Sequence, residues 1–230
     1  MQTFAELWGT LVEPVSTFRQ LALTPRALVA LVLLGLVNLT LPWAVGSRLE
    51  TRQSVLQKLG PELSEMTDRD IDDAVIKDQK LTLALMVVVA VAGPPFRALI
   101  FTLGLWLWAR YLYRRPRFGA LFALATFAQL PLAIRSLATA LAALGQAQLS
   151  SQQLACLLPS GPAVWFEVAP VWERLLGGLD FFTLWTAVLL GIAFWVTTEM
   201  PQRRAAIGMA VAYVAYVAVF LVGFPGLLGG

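Results

Sequence analysis

The residues of this chain that could do chemistry are a few polar side chains inside long apolar runs. Arg97 closely follows Pro94 and Pro95 near the middle of one run, and Gln129 and Pro131 take a similar place in the next. A proline has no backbone N–H, so the carbonyl four residues earlier loses its helical partner. Such carbonyls, beside polar side chains, often form ligand or ion sites in membrane proteins. These five residues are therefore a candidate polar site, in which Arg97 either stabilises the helices or binds a ligand.

A second candidate is an ion pair between Arg135 and Asp180. Arg135 lies toward the end of one apolar run and Asp180 directly precedes another, at what would be the same end of a bundle. Asp180 also fits the N-cap of a helix that begins at Phe181, and the long stem of Arg135 can carry its charge to lipid headgroups. The sequence favours a structural role for both residues over substrate binding.

Histidine and cysteine usage excludes most familiar enzyme chemistry. The chain has no histidine and a single cysteine, Cys156. These counts remove Ser-His and Cys-His catalytic pairs, most zinc sites and any intramolecular disulfide. We therefore expect no enzyme activity, no catalytic residue, no cofactor and no metal site.

Four aspartates between residues 68 and 73 invite comparison with a calcium-binding loop over 68–79. Such a loop needs glycine at its sixth position and a bidentate glutamate at its twelfth. The chain has Asp73 and Gln79 there, so the motif fails. A solvated amphipathic helix after Pro61, with Thr67 as its cap, is the favoured interpretation.

The elements that position these residues follow from composition. Of the 230 residues, 58% are hydrophobic and 13% are charged, and the mean hydropathy is +0.72. So little polar side chain cannot cover a soluble surface, and much of the apolar area must face lipid. The sequence predicts an all-α polytopic membrane helical bundle. Its five predicted transmembrane helices cover residues 26–46, 81–112, 119–144, 181–198 and 205–224.

The second predicted span is too long for an untilted crossing. As a straight helix, 81–112 would measure about 48 Å, against a hydrocarbon core of about 30 Å. The pair Pro94 and Pro95 predicts that this helix breaks or kinks near its middle.

Orientation follows from the basic residues of the short connections, because lysine and arginine resist translocation. Arg114, Arg115 and Arg117 lie between the second and third spans, and Arg203 and Arg204 between the fourth and fifth. The loop 47–80 carries six basic against eight acidic residues, and the loop 145–178 carries one basic against two acidic residues. The N-terminus is therefore predicted to be cytoplasmic, the C-terminus periplasmic, and these two loops outside.

Residues 1–25 are predicted to form a cytoplasmic amphipathic interfacial segment, with 26–230 as the transmembrane domain. Apolar residues recur at helical spacing up to Pro14, namely Phe4, Leu7, Trp8, Leu11 and Val12. This stripe lies either in the membrane interface or against the protein's own spans. Arg19 and Arg26 would lie at the anionic inner surface.

Two further features concern packing and interfaces. Trp106, Trp108, Tyr111 and Tyr113 lie beside the arginines of a predicted inner connection, which is typical of an interfacial aromatic belt. Gly208 and Ala212 form a small-xxx-small step, which indicates close helix packing or self-association. The aromatic part of the loop 145–178 either lies at the membrane interface or docks a partner.

The order of these features resembles the Yip1 family, in its shorter bacterial form. The run PVSTF at 14–18 is followed by Pro25 before the first span; the stretch 118–131 opens the third span and LDFFTLW at 179–185 opens the fourth. A short basic turn and a last span complete the likeness. The Asp-Leu-Tyr-Gly-Pro and Gly-Tyr signatures of eukaryotic members are missing. Binding of prenylated Rab GTPases is therefore not carried over.

The resemblance implies a five-helix integral membrane protein that acts through partners or lipids. Bacterial relatives look like accessory proteins, some of them associated with ABC-type exporters. We expect a non-enzymatic accessory or scaffold protein of the bacterial inner membrane, whose partners are membrane lipids and a membrane protein such as an ABC-type exporter, or a second copy of itself. The alternative is a small transporter or lipid-binding protein with a midplane site around Arg97 and Gln129. The net charge of +3 comes from the inner-side arginines, so nucleic acid is not an expected partner.

Overall fold

The computed structural model describes residues 2–60, 66–149, 153–154, 157–158 and 180–216. Within these residues the longer elements are all α-helices, which confirms the predicted all-α class, and an isolated parallel bridge joins Leu49 and Leu149. The helices are α1 (Gln2–Val12), α2 (Pro14–Leu23), α3 (Leu28–Asn38), α4 (Thr40–Val45), α5 (Arg52–Leu59), α6 (Asp68–Tyr111), α7 (Phe118–Phe127), α8 (Leu130–Leu144), α9 (Phe181–Thr198) and α10 (Gln202–Tyr216).

In the part of the chain that the structure describes, four helical segments are long and apolar enough to cross a membrane: Leu28–Val45, Asp68–Tyr111, Phe118–Leu144 and Phe181–Thr198. They coincide with the first four predicted spans. The fifth predicted span, 205–224, lies partly outside the described residues, and α10 contains its first part. Two of the four segments are each divided between two helices, at Leu39 and at the pair Ala128–Gln129.

Of the two outcomes predicted at Pro94 and Pro95, a break of the helix is wrong, and a kink stays a prediction. Both prolines lie inside α6, which continues for 44 residues from Asp68 to Tyr111. Membrane helices tolerate proline where a neighbouring helix supplies hydrogen-bonding groups to the backbone. Here the side chain of Gln129 donates to the carbonyl oxygen of Pro94 itself, which attaches the adjacent helix at the proline pair. The carbonyls that the two prolines leave without a helical donor are those of Ala90 and Val91, four residues earlier.

The first turns of α6 extend beyond its apolar part and are braced by α5. The Thr67 hydroxyl accepts from the Asp70 backbone N–H, while the Asp70 carboxylate accepts from the Thr67 N–H, so the predicted cap is present. Ion pairs join Arg52 to Asp72 at 3.1 Å and Lys58 to Asp78 at 2.9 Å. The predicted amphipathic helix is therefore not separate, because it is the N-terminal part of the second span.

The two predicted outer loops meet beside this extension. The Glu50 N–H donates to the Leu149 carbonyl at 2.9 Å, and the Leu149 N–H donates to the Arg48 carbonyl at 2.8 Å. Gln79 adds a side-chain bond to the carbonyl of Leu49 at 3.1 Å. Segments predicted to share the outer side therefore lie together.

The N-terminal segment contains two helices. Pro14 occupies the first turn of α2. A backbone N–H at this position has no acceptor within the helix, so proline costs no hydrogen bond there. Phe18 and Leu21 of α2 are fully buried against the bundle. On α1, Leu7 packs against the core of the bundle, whereas Phe4 and Trp8 are 67% and 69% exposed. The placement of the exposed part of α1 in a membrane interface stays a prediction.

The core centres on α7, whose residues from Ala120 to Phe127 are buried apart from Phe122. Phe127 packs in one cluster with Phe18 of α2 and Phe194 of α9. Alanines between these large residues let neighbouring helices approach closely. This arrangement fixes the C-terminal end of α7, from which the candidate polar site is built.

Gly208 of α10 lies directly against Trp108 of α6. A Cβ at residue 208 would overlap the indole nitrogen and lie 2.7 Å from Cδ1. Trp108 is therefore packed against α10 and stacks on Tyr111, whereas Tyr113 is 96% exposed. The interfacial aromatic belt stays a prediction. At Gly208, the contact favours packing within the chain over self-association.

Candidate functional site

The candidate polar site forms at the break between α7 and α8. Gln129 is the N-cap residue of α8, Pro131 occupies the first turn of that helix, and neither residue is exposed. Because proline at this position sacrifices no helical hydrogen bond, it favours a new helix start there. The break places the Gln129 side chain, which is 1% exposed, against α6.

Gln129 links the prolines of α6 to the end of α7. Its amide Nε2 donates to the carbonyl of Pro94 at 3.0 Å and to the carbonyl of Ala125 at 3.4 Å. Its Oε1 accepts from Nε of Arg97 at 3.2 Å. The structure therefore brings together Arg97, Gln129 and the proline pair, with Pro131 in the adjoining turn.

This arrangement satisfies Gln129 within the protein. Both amide hydrogens have a carbonyl acceptor and the oxygen has a guanidinium donor. A buried amide left without partners would cost free energy, so these bonds hold α6 against the α7–α8 break. The role that this geometry supports is to attach α6 to the break between α7 and α8.

We expect Gln129→Leu to lower the free energy of unfolding by about 1 kcal/mol, the size typical of hydrogen bonds between membrane helices. Leucine has a similar volume but cannot accept from Arg97 or donate to Pro94. Gln146→Leu is the matched control, because Gln146 is exposed. Both variants are compared by thermal unfolding in detergent. Equal melting temperatures for Gln129→Leu and wild type would contradict the assignment.

The structure also brings Arg135 and Asp180 together. Nη1 of Arg135 lies 2.5 Å from Oδ2 of Asp180. The Asp180 side chain is 2% exposed and that of Arg135 is 39% exposed. The pair joins α8 to the start of α9.

Asp180 is at the same time the N-cap of α9. Its Oδ1 accepts from the backbone N–H groups of Phe182 at 2.8 Å and Thr183 at 3.0 Å, and its Oδ2 accepts from the Thr183 hydroxyl at 2.7 Å. Ion pairing and capping were alternative interpretations of this residue, and the structure combines them. Thr183 was not among the predicted site residues. Its position three residues after a capping aspartate is the signal in the sequence that could have identified it.

A cavity of about 730 Å³ was not anticipated from the sequence. It lies where α2, the connection between α6 and α7, and the end of α9 meet, all of them segments predicted to be cytoplasmic. Its charged lining residues are Arg19, Arg115, Arg117 and Glu199. The arginines were visible in the sequence, but only the fold places them around one space.

Comparison with known proteins gives a family. The family model described as Yip1 domain matches residues 8–224. Neither the curated proteins nor the solved structures gave a match. The match covers the four membrane-spanning segments and both polar clusters, so this multi-pass membrane protein belongs to the Yip1 domain family.

Proposed function

We propose that this protein is a non-enzymatic accessory or scaffold protein of a bacterial inner membrane, and that it presents the outer part of α6 to a protein partner. The observation that carries the proposal is the continuity of α6. At 1.5 Å per residue, its 44 residues measure about 66 Å, roughly twice the hydrocarbon thickness of a bilayer. One end of this helix therefore projects beyond the apolar region.

The projecting part has two different faces. Asp72, Asp78 and Gln79 bond to α5 or to the segment before it. An adjacent face carries the outer stripe, which consists of Arg69, Asp73, Ile76, Lys77 and Lys80, all exposed. These residues recur at helical spacing and share one face. The bonds to α5 hold this face in a fixed position, which suits a docking surface.

The intramembrane polar residues support an accessory role over the transporter or lipid-binding alternative. Gln129 and Asp180 each bond to several groups of the protein itself. A transport site would instead aim such groups at a passage for substrate. Family membership also supports the non-enzymatic assignment. The partner class we propose is a membrane complex such as an ABC-type exporter, or a second copy of the chain.

The test is purification from native membranes in nanodiscs, followed by mass spectrometry of what remains bound. We expect a stoichiometric protein partner with wild type and a loss of that partner with Ile76→Glu, because a charge would be buried in the docked face. Gln20→Glu is the control, since it introduces the same charge at an exposed position on α2. A partner retained by Ile76→Glu as strongly as by Gln20→Glu would overturn docking at the outer stripe.

Arg97→Ala distinguishes the alternative function. The accessory role predicts that this variant keeps its protein partner, because Arg97 only holds helices together. A lipid or small anion that is bound by wild type and lost in Arg97→Ala, without any protein partner, would overturn the proposal and favour the midplane site.

A further inference from the structure

We propose that the cavity between α2, the α6–α7 connection and the end of α9 is a binding site for a phosphate group. The group is carried either by an anionic lipid headgroup or by a soluble phosphate ester. The site lies apart from the outer stripe and does not rest on the accessory role. It is named here the arginine pocket, defined by Arg19, Arg115, Arg117 and Glu199 around the cavity of about 730 Å³.

The charge of the residues that line the pocket favours an anion. Three guanidinium groups and one carboxylate line the pocket, which leaves two net positive charges around one space. None of the three arginines forms an ion pair with a carboxylate in the part of the chain that the structure describes. All four charged residues are exposed, so solvent screens part of the repulsion between the arginines, and a bound anion would relieve what remains.

Arginine is the residue type that best matches a phosphate group. A guanidinium presents a planar set of N–H donors that matches two phosphate oxygens at once, which an ammonium group cannot do. The Arg19 guanidinium lies 5.9 Å from the ring centre of Trp195, so a cation–π contact helps to hold it at the pocket wall. The three arginines come from two separate elements, so an anion between them would connect α2 to the α6–α7 connection.

The start of α7 adjoins the same space. Arg117 is the N-cap residue of α7 and makes no side-chain capping bond, and the first turn contains no acidic residue. Ala120 of that turn lines the pocket. The first backbone N–H groups of a helix have no helical partner and favour an anion there.

The apolar walls favour an ester over a bare ion. Trp195, Val196 and Ala22 form apolar wall surface next to the arginines. The space of about 730 Å³ is open to the surface, so a glycerol or acyl-glycerol portion attached to the phosphate could lie along this wall. Leu23 at the same wall is 79% exposed, so the pocket opens on an apolar surface.

The test is native mass spectrometry of the purified protein titrated with phosphatidic acid, with phosphatidylcholine as the zwitterionic comparison. The variant Arg19→Gln, Arg115→Gln, Arg117→Gln is compared with Arg114→Gln, Arg203→Gln, Arg204→Gln. The second set makes the same charge change at exposed arginines of the two predicted inner connections outside the pocket. We expect the pocket variant to bind phosphatidic acid more weakly by about tenfold or more, and the control by about twofold or less. If both variants lose binding of phosphatidic acid equally, the binding depends only on the overall surface charge, and the proposal is overturned.

Glu199→Gln provides a gain-of-binding measurement that unfolding cannot imitate. It removes the pocket carboxylate at nearly constant volume, so we expect tighter binding of phosphatidic acid by several-fold. Unchanged or weaker binding in a folded Glu199→Gln protein contradicts the site.

Competition with glycerol 3-phosphate then distinguishes the two sources of the phosphate group. Displacement of the lipid by this probe assigns a soluble phosphate ester, and its failure to displace assigns the lipid headgroup; binding of neither probe to wild type overturns the proposal.

Discussion

Asp180→Ala is expected to lower the free energy of unfolding by about 3 kcal/mol, the largest effect of any substitution considered. Removing one partner of a buried ion pair typically costs about 3–5 kcal/mol. The value lies at the lower end because Arg135 is 39% exposed and its guanidinium can regain water. The same change removes the acceptor of the Phe182 and Thr183 N–H groups at the start of α9.

The measurement is equilibrium unfolding in mixed micelles, followed by circular dichroism, with two companion variants. Asp180→Asn keeps an oxygen for the cap but loses the charge, so we expect a loss between wild type and Asp180→Ala. Arg135→Ala removes only the ion pair. In a double-mutant cycle, the coupling between residues 135 and 180 should exceed about 0.5 kcal/mol. Additive effects of Asp180→Ala and Arg135→Ala would show that Arg135 merely reaches the headgroups.

Gly208→Ala is expected to destabilise the protein by about 2 kcal/mol through overpacking. The added methyl group would overlap the Trp108 indole, which is a rigid ring rather than the end of a flexible side chain. Alanine is intrinsically better than glycine in a helix by about 1 kcal/mol, so the measured loss is what remains after that gain. The melting temperature in detergent, measured for wild type and variant, checks the prediction.

Two controls isolate the contact between α6 and α10. Gly104→Ala changes an exposed glycine of α6 where a Cβ meets nothing within 4 Å, so it should gain helix propensity without a clash and raise stability slightly. Gly208→Ala combined with Trp108→Leu should recover part of the loss, because the smaller side chain leaves room for the methyl group. If Gly208→Ala behaves like Gly104→Ala, Trp108 does not pack against residue 208.

The parts of the fold that depend on local hydropathy could be predicted. The first four spans stand out because about twenty consecutive apolar residues have few soluble alternatives. Gln129 and Pro131 could be identified as a weak point of the third span, because a proline and an amide together favour a new helix start. Arg135 and Asp180 could be paired because topology placed them at the same end.

The remaining features required tertiary information. The sequence treats Pro14 only as the end of α1, although proline is equally favourable in the first turn of a new helix, here α2. Pro94 and Pro95 do not interrupt α6. The bond from Gln129 to the Pro94 carbonyl joins residues that are more than thirty positions apart, so it could not be predicted from the local sequence. The contact between Trp108 and Gly208 joins residues one hundred positions apart, so the sequence alone could not reveal it.

The arginine pocket also could not be predicted without tertiary information. Arg19 and Arg117 are nearly one hundred residues apart in the chain, and each has a sufficient explanation as a residue of the inner surface. Only the docking of α2 against α7 and α9 makes them neighbours. Positive charge in a short connection therefore fixes topology and, once folded, can also define a cavity.

The continuous α6 also has a mechanical consequence. Between Arg97, where Gln129 attaches it to the bundle, and its N-terminus at Asp68 the helix has no break, and this arm is about 44 Å long. A tilt of about 10° about that attachment point would move the far end by about 8 Å. Because α5 and the segment around Leu49 are bonded to this arm, they would move with it, so a rearrangement around Gln129 would displace these segments and the tip of α6 as one unit.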